Sequence, residues 1–199
     1  MPPHTRPRTK AEQREETTQN LVEHARELFA TYGYAKVSLS QIVTAAGVTK
    51  GALYHHFAGK EDLFQAVLTQ VHQEVADRVA SAAPDADLWT QFIAGCRAFL
   101  TASTEPRIQQ IMLVDAPSVL GWGVWREIDA STSRQHLEEI VTQLIEQDLI
   151  SKQPVAPLVH LLSGAMNEAA LWLTTSTTRA HDVEATMAAL TNLLKSLRT

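Results

Sequence analysis

The chain is poor in the residues that build disulfide-rich, strand-rich or membrane-spanning proteins. Its 199 residues include one cysteine, Cys96, so no disulfide can form within the chain. Only eight glycines and eight prolines are present, and alternating apolar runs between turn pairs are missing, which predicts an all-α protein. No apolar run approaches the length of a membrane helix, and the first residues lack a signal-peptide core. We therefore expect a soluble, cytoplasmic protein.

Motifs for catalysis and metal binding are also missing. The adjacent His55 and His56 would point in different directions on a helix, and the other six histidines show no metal-ligand spacing with a carboxylate or with Cys96. We find no phosphate loop, nucleophile elbow or dinucleotide fingerprint. The sequence therefore predicts no enzyme activity, no metal and no cofactor. A helical adaptor that binds only proteins remains as an alternative to a nucleic-acid-binding protein.

The segment SLSQIVTAAGVTKGALYHHF, residues 38–57, predicts two short helices joined by a tight turn. Ser38 and Gln41 form a capping-box pattern at the start of the first helix. Gly47 is suited to a left-handed residue that ends this helix, and Thr49 can cap the second one. The apolar residues recur at helical spacing and predict the buried faces: Leu39, Ile42, Val43 and Ala46 on the first helix, Leu53 and Phe57 on the second.

The outward surface of the second helix suits a DNA groove. Its small first residues permit close approach of the backbone, Lys50 can pair with a phosphate or a guanine, and Tyr54 can donate to phosphate oxygens. Lys60 opens the following helix, whose N-terminal N–H groups favour an anion. The candidate DNA-binding residues are Ser38, Thr49, Lys50, Gly51, Tyr54, His55 and Lys60. The competing interpretation is an ordinary pair of packed helices.

The charge distribution supports a DNA-binding N-terminal part. The chain as a whole carries −5, which by itself argues against a nucleic-acid binder. Residues 1–60, however, contain eight Lys and Arg against five Asp and Glu, a net charge of +3, and the remainder carries −8. Only the surface that faces the phosphates contributes to counterion release, so an acidic remainder does not prevent binding.

The stretch GYAKVSLSQIVTAAGVTKGALYHHFAGKEDLF, residues 33–64, closely resembles the N-terminal domain of the TetR/AcrR family of bacterial repressors. The preceding helix, which ends in LVEHARELFATYGY, extends the resemblance. The matching residues are Gly33, Tyr34, Ser38, Ile42, Ala46, Gly47, Val48, Lys50, Gly51, Leu53, Tyr54, Phe57, Lys60, Leu63 and Phe64. The resemblance implies a three-helix, helix-turn-helix DNA-binding head and a C-terminal helical body for ligand binding and dimerisation.

We place the domain boundaries accordingly. Residues 1–9 form a flexible basic arm that reaches a neighbouring groove or, alternatively, a solvated tail. Residues 10–58 form the DNA-binding domain, whose first helix starts near Lys10 behind a Thr9–Glu12 capping box. Residues 59–199 form the body. Within it, one helix runs from Lys60 to Ala83, another begins at Pro106 and is broken by Pro117, and a long helix covers residues 117–147.

The last two helices, at about residues 155–178 and 181–198, are the predicted dimer interface. The first of them is apolar nearly all round, and the second carries the stripe Val183, Met187, Leu190, Leu194 and Leu197. Packing within one chain is the alternative. TetR-like proteins dimerise through their last two major helices, so the resemblance favours a homodimer.

Large aromatic side chains are frequent in the body. Each fits a core position, but together with a few polar residues they can line a small-molecule pocket. The candidate ligand-binding residues are Trp89, Phe92, Cys96, Phe99, Met112, Trp122, Trp125, His136, Asn167, Glu168 and Trp172. We expect a dimeric repressor that binds a palindromic operator and is released by a small apolar or amphipathic inducer, with the helix after Lys60 as the lever.

Overall fold

The structure, a computed structural model, describes residues 9–199, and all the regular secondary structure in this range is helical. Arg6 and Arg8 of the predicted basic arm lie outside the described residues. The chain forms two compact units, which we call the head and the body; the head ends at Val67 and the body covers Leu68–Thr199. The helices that begin in the head are α1 (Lys10–Tyr32), a 3₁₀ turn (Tyr34–Lys36), α2 (Leu39–Ala45), α3 (Lys50–His56) and α4 (Lys60–Ala80).

The first helix of the head has well-defined ends. Thr9 Oγ1 accepts a hydrogen bond from Glu12 N, and Glu12 Oε2 accepts one from Thr9 N, so the predicted capping box is present. Gly33 ends α1 with a φ of +78°, and its N–H donates to the Phe29 carbonyl. A residue with a Cβ would be strained at this φ, which is why the helix ends at a glycine.

Three aromatic rings form the centre of the head core. Phe29 and Phe64 are fully buried, with ring centroids 5.2 Å apart in an edge-to-face arrangement. Tyr34 packs against both rings. Aromatic pairs in this geometry add to the stabilisation from burial alone. This core fixes the end of α1 against the first turns of α4.

The body is built from α4 beyond Val67 and a further set of helices. α4 ends at Ala80, three residues before the predicted end, and Ala83 has a φ of +56°. The remaining helices are α5 (Leu88–Ser103), α6 (Pro106–Gln109), α7 (Ala116–Val119), α8 (Gly121–Ala130), α9 (Ser133–Glu146), α10 (Val155–Leu173) and α11 (Arg179–Lys195).

The predicted break at Pro117 is wrong. A π-helical stretch, Gln110–Asp115, links α6 directly to α7, and Pro117 lies in the first turn of α7. A first-turn proline needs no hydrogen-bond donor, so the helical path continues through it. The direction changes later, at Gly121, which has a φ of +77°.

The single long helix predicted for residues 117–147 is also wrong. It is interrupted at Gly121 and again at Ser131–Thr132, between α8 and α9. The hydroxyl groups of Ser131 and Thr132 both donate to the Ile128 carbonyl. Serine and threonine that bond back to the backbone in this way compete with helix continuation.

α5 is the central helix of the body. It packs against α9, α10 and α11, and it buries Phe92, Cys96, Phe99 and Leu100. The C-terminal end is held by a hydrogen bond from Ser151 N to the carbonyl of Leu197, which lies beyond the end of α11. Across the described part of the chain, no helix is long and apolar enough to cross a lipid bilayer.

Candidate DNA-binding surface and ligand cavities

The turn between α2 and α3 is fixed by local hydrogen bonds. Ser38 Oγ accepts from Gln41 N at 3.3 Å while Gln41 Oε1 accepts from Ser38 N at 2.8 Å, which completes the predicted capping box. Gly47 has a φ of +67°, and Thr49 Oγ1 accepts from Ala52 N at 3.1 Å to cap α3. These bonds satisfy backbone donors that a helix start otherwise leaves unpaired. The orientation of α3 is therefore set by residues adjacent to it in sequence.

The two faces of α3 differ as the spacing predicts. Leu53 and Phe57 are buried, whereas Thr49, Lys50 and Gly51 are exposed. The exposed face also carries Tyr54, which is 59 % accessible, and His55. This helix presents a cation, a phenol and an imidazole on one side, with small residues at its start. Such a surface can donate hydrogen bonds to phosphates and to base edges.

Lys60 is held within the head. Its Nζ atom donates to the Tyr34 carbonyl at 2.5 Å and lies 3.8 Å from the centroid of the Tyr34 ring. Burial, and secondarily the charge of Glu61, raise the pKa of the Tyr34 hydroxyl. Lys60 therefore anchors the start of α4 to the 3₁₀ turn, and its part in DNA binding stays a prediction.

A cavity of about 210 Å³ lies in the body between α5, α9 and the neighbouring helices. Of the predicted ligand-binding residues, Phe92, Cys96, Phe99 and His136 line it. Burial raises the pKa of the Cys96 thiol to about 12, so this side chain is a neutral part of an apolar wall. We call this space the first cavity.

A second cavity, also of about 210 Å³, lies between α8, α9 and α10. Trp122, Trp125, Asn167 and Glu168 from the predicted set line it. The two tryptophan rings stand edge to face, 5.4 Å apart, and Trp125 Nε1 donates to the Met112 carbonyl at 2.8 Å. The indole of Trp125 is thus fixed, while that of Trp122 is largely exposed.

Comparison with known proteins assigns the family. Residues 21–67 match the family described as bacterial regulatory proteins, tetR family, and residues 89–197 match the tetracyclin repressor-like C-terminal domain. A crystal structure of a TetR-family transcriptional regulator from Pectobacterium atrosepticum superposes with a TM-score of 0.82 at 34 % identity, covering 96 % of this chain and 98 % of that one. The chain belongs to the TetR family.

Two curated relatives support this membership to different extents. The Transposon Tn10 TetC protein of Escherichia coli is 28 % identical over 74 % of this chain and 75 % of its own length. The regulator TtgR of Pseudomonas putida is 41 % identical, but over 40 % of this chain and 37 % of its own length. This TetR-family chain is thus a DNA-binding transcriptional regulator rather than an enzyme, with the all-α helix-turn-helix head and helical body that the sequence predicts.

Three of the predicted ligand-binding residues line neither of the two cavities in this TetR-family body. Trp89 packs against the Phe92 ring and lies under the guanidinium of Arg198. Met112 is fully buried, and Trp172 is exposed on α10. Their large apolar side chains fill the core or face outward, so residue type alone did not identify the cavity walls.

A polar group shared by both cavities was not predicted. Asp129, Arg134 and Ser163 line both of them, and Ser133 lines the first. Burial raises the pKa of the Asp129 carboxyl group, an effect opposed by nearby Arg134, by a hydrogen bond from Ser163 and by Arg126. Asp129, Ser133 and Arg134 are close in sequence, but only the packing of α10 against α8 and α9 brings Ser163 to them.

The head also contains two long-range hydrogen bonds that the sequence did not indicate. His56 Nδ1 and Thr18 Oγ1 lie 2.8 Å apart and join α3 to α1. Asn20 Nδ2 donates to the Ala46 carbonyl at 2.8 Å, at the end of α2. Both contacts hold α2 and α3 against α1, and they therefore fix the orientation of the exposed face of α3.

Proposed function

We propose that this TetR-family chain is a ligand-responsive repressor that binds a palindromic operator as a homodimer and is released by a small apolar or amphipathic inducer. The observation that carries the proposal is the pair of cavities in the body, because eight of the eleven predicted ligand-binding residues line them. Protein interiors are normally close-packed, so cavities of this size with mixed apolar and polar linings support a ligand-binding role.

The proposed DNA contacts are Ser38, Thr49, Lys50, Gly51, Tyr54, His55 and Lys60. The residues from Thr49 to His55 in this set are exposed on α3 and its cap. Ser38 is exposed too, although its hydroxyl group is occupied by the capping box. A dimer would place two such helices in successive major grooves, about 34–36 Å apart, which is why we propose a palindromic site.

The proposed homodimer interface lies on α10 and α11. Leu161 on α10 is 72 % exposed and Leu193 on α11 is 67 % exposed, and Trp172 adds a large apolar side chain. Gly164 and Ala165 are exposed between them and permit close helix approach. Exposed apolar side chains of this size on two helices suit a two-fold, four-helix contact.

The proposed regulation needs differential affinity. An inducer shifts the protein off DNA only if it binds more tightly to a dimer whose heads have a different spacing. α4 contains the division between head and body, so it is the element through which a change in the cavities would act on the head. If a ligand binds the body without changing operator affinity, this part of the proposal is wrong.

The experiment compares matched pairs of exposed residues in the head. Operator fragments are first selected from genomic DNA, and affinities are measured at two salt concentrations. Lys50→Ala and Tyr54→Ala are expected to weaken operator binding by at least about 30-fold, because a lost base or phosphate contact costs about 1–3 kcal/mol and occurs twice in a dimer. Lys36→Ala and Tyr32→Ala, exposed residues of the same types away from α3, are the controls.

Several outcomes would contradict the proposal. Equal losses for Tyr54→Ala and Tyr32→Ala would mean that α3 is not the contact surface. Loss of folding in the Tyr54 variant, followed by circular dichroism, would make Tyr54 a packing residue. An absence of DNA binding at low salt would favour a helical adaptor that binds only proteins.

A further inference from the structure

The wall between the two cavities contains hydrogen-bond acceptors that the protein itself does not satisfy. Asn167 Nδ2 donates to Ser163 Oγ at 3.4 Å, and Ser163 in turn donates to the Asp129 carboxyl group. This chain of bonds uses the available donors and leaves Asn167 Oδ1 buried without a partner. The buried hydroxyl group of Ser133, in the first cavity, also has none.

Within this wall, Asp129 carries the buried negative charge that most needs a partner. The residue is only 4 % exposed, it lines both cavities, and it forms no ion pair within the described residues. A buried carboxylate without a paired cation is unfavourable, because water no longer solvates its charge. A group that supplies both a positive charge and N–H donors would remove this cost.

The charges of Arg134 and Arg126 lower the pKa of Asp129, yet they do not reverse the effect of burial. Arg134 lines the same cavities but makes no ion pair with Asp129 within the described residues. It is half-buried and is more exposed than Asp129. A long arginine side chain can keep its guanidinium in water, whereas Asp129 cannot reach solvent. An anionic ligand would also bring a second negative charge against Asp129, which disfavours that alternative.

One side of the first cavity is apolar, although His136, Glu139 and two glutamines also line it. Phe92, Cys96 and Phe99 of α5 and Met166 of α10 line it, and all four side chains are buried. Apolar walls with a few convergent polar groups are typical of small-molecule sites. The arrangement is thus apolar on one side and acceptor-rich at Asp129.

We infer that the body binds an amphipathic organic cation, with its protonated amine at Asp129 and its apolar part against Phe92, Cys96, Phe99 and Met166. This inference rests on the proposed ligand-binding role of the body and specifies the chemical class of the ligand. The amine donates to the Asp129 carboxylate, and Asn167 Oδ1 offers a further acceptor on the side of the second cavity.

The test uses three probes that share one apolar body: 4-phenylbutylamine, 4-phenylbutanol and 4-phenylbutyrate. Binding to the full chain is measured by calorimetry at a fixed pH of about 7.5, where the amine is a cation. The amine is expected to bind at least about tenfold more tightly than the alcohol or the acid, the loss that accompanies an unpaired charged contact. Equal affinities, tighter binding of the acid, or no binding of the amine would overturn the inference.

Two variants locate the charge. Asp129→Asn keeps the shape of the side chain and is expected to reduce amine affinity to that of the alcohol, with little effect on the alcohol itself. Glu139→Gln is the matched control, because Glu139 is a more exposed carboxylate that lines the same cavity. An equal loss in both variants would mean that Asp129 does not hold the amine. If Asp129→Asn fails to fold, the probe series on the unmodified chain still tests whether the body prefers a cation.

A separate measurement distinguishes this inference from the proposed regulation. Operator affinity is determined with and without each probe. Amine binding that depends on Asp129 but leaves operator affinity unchanged would support the site and contradict ligand-responsive repression. Release from the operator by the alcohol or the acid, but not by the amine, would support the repression and contradict the site.

Discussion

The head and the body differ in how completely their buried polar atoms are satisfied. In the head, side chains such as Thr9, Ser38, Thr49 and Asn20 pair with helix ends. Among the described residues, the buried side-chain polar atoms without a hydrogen-bond partner all belong to the body: those of His72, Ser103, Gln109, Ser133, Asn167 and Arg179. Both cavities described above are in the body as well. The head has a closed core, whereas the body has an open core that retains cavities and unsatisfied polar groups, which we propose to bind a ligand.

Removing a phenylalanine ring should destabilise the core of the head more than that of the body. Phe29 is fully buried between Tyr34 and Phe64 in the head, so Phe29→Ala should lower the free energy of unfolding by about 3–5 kcal/mol. Phe92 in the body already borders the first cavity, and Phe92→Ala should cost less because its ring has fewer packed neighbours to lose.

Urea unfolding with two probes separates these effects. All four tryptophans of the chain lie beyond residue 67, so their fluorescence reports on the body, whereas circular dichroism reports on helices of both units. In Phe29→Ala the dichroism midpoint should fall below the fluorescence midpoint. Coincident transitions, or a larger loss for Phe92→Ala, would contradict the distinction between a closed and an open core.

The same distinction explains what the sequence could predict. Capping boxes at Thr9–Glu12 and Ser38–Gln41 and the left-handed Gly47 depend on residues a few positions apart, so they were predictable and are present. The exposed face of α3 followed from the 3.6-residue period.

In the body, local patterns were less informative. Pro117 predicted a break, but the π-helical turn before it places the proline at a permitted position. Asp129 was not predicted because a search for large apolar side chains selects residues such as Met112 and Trp89, whereas the polar cavity wall is formed where three helices pack together. Cavities are properties of tertiary packing, which a period or a motif does not encode.

The buried His72 should make the body sensitive to acid. Its side chain is 1 % exposed, neither ring nitrogen has a hydrogen-bond partner, and its ring stands edge to face against Trp125. Burial lowers the pKa of His72 from 6.5 to about 4. Between these values the unfolded chain binds a proton that the folded body does not, so stability falls as the pH is lowered from about 6.5 to 4. The expected loss is about 3 kcal/mol.

His72→Phe should remove this pH dependence, because phenylalanine keeps the ring and does not titrate. The measurement is the free energy of urea unfolding by tryptophan fluorescence at pH 7.5, 5.5 and 4.5. His136→Gln, at a half-exposed cavity position, serves as the control and should retain the acid-dependent loss. A loss of equal size in the His72 variant would show that other groups cause the acid sensitivity.

The smallest predicted effects are those of replacing two glycines by alanine, which should change the free energy of unfolding in opposite directions. Gly47 in the head turn has a φ of +67°, so Gly47→Ala should cost about 1 kcal/mol even though the space around it is open. Gly123 on the exposed side of α8 in the body has open space and no positive φ, and alanine is the better helix former. Gly123→Ala should therefore stabilise the body by about 0.5–1 kcal/mol. Denaturant midpoints, read by circular dichroism for the first variant and by tryptophan fluorescence for the second, should move in opposite directions. An unchanged or raised midpoint in Gly47→Ala would mean that the positive φ does not govern the cost there, and a lowered midpoint in Gly123→Ala would contradict the gain in the body.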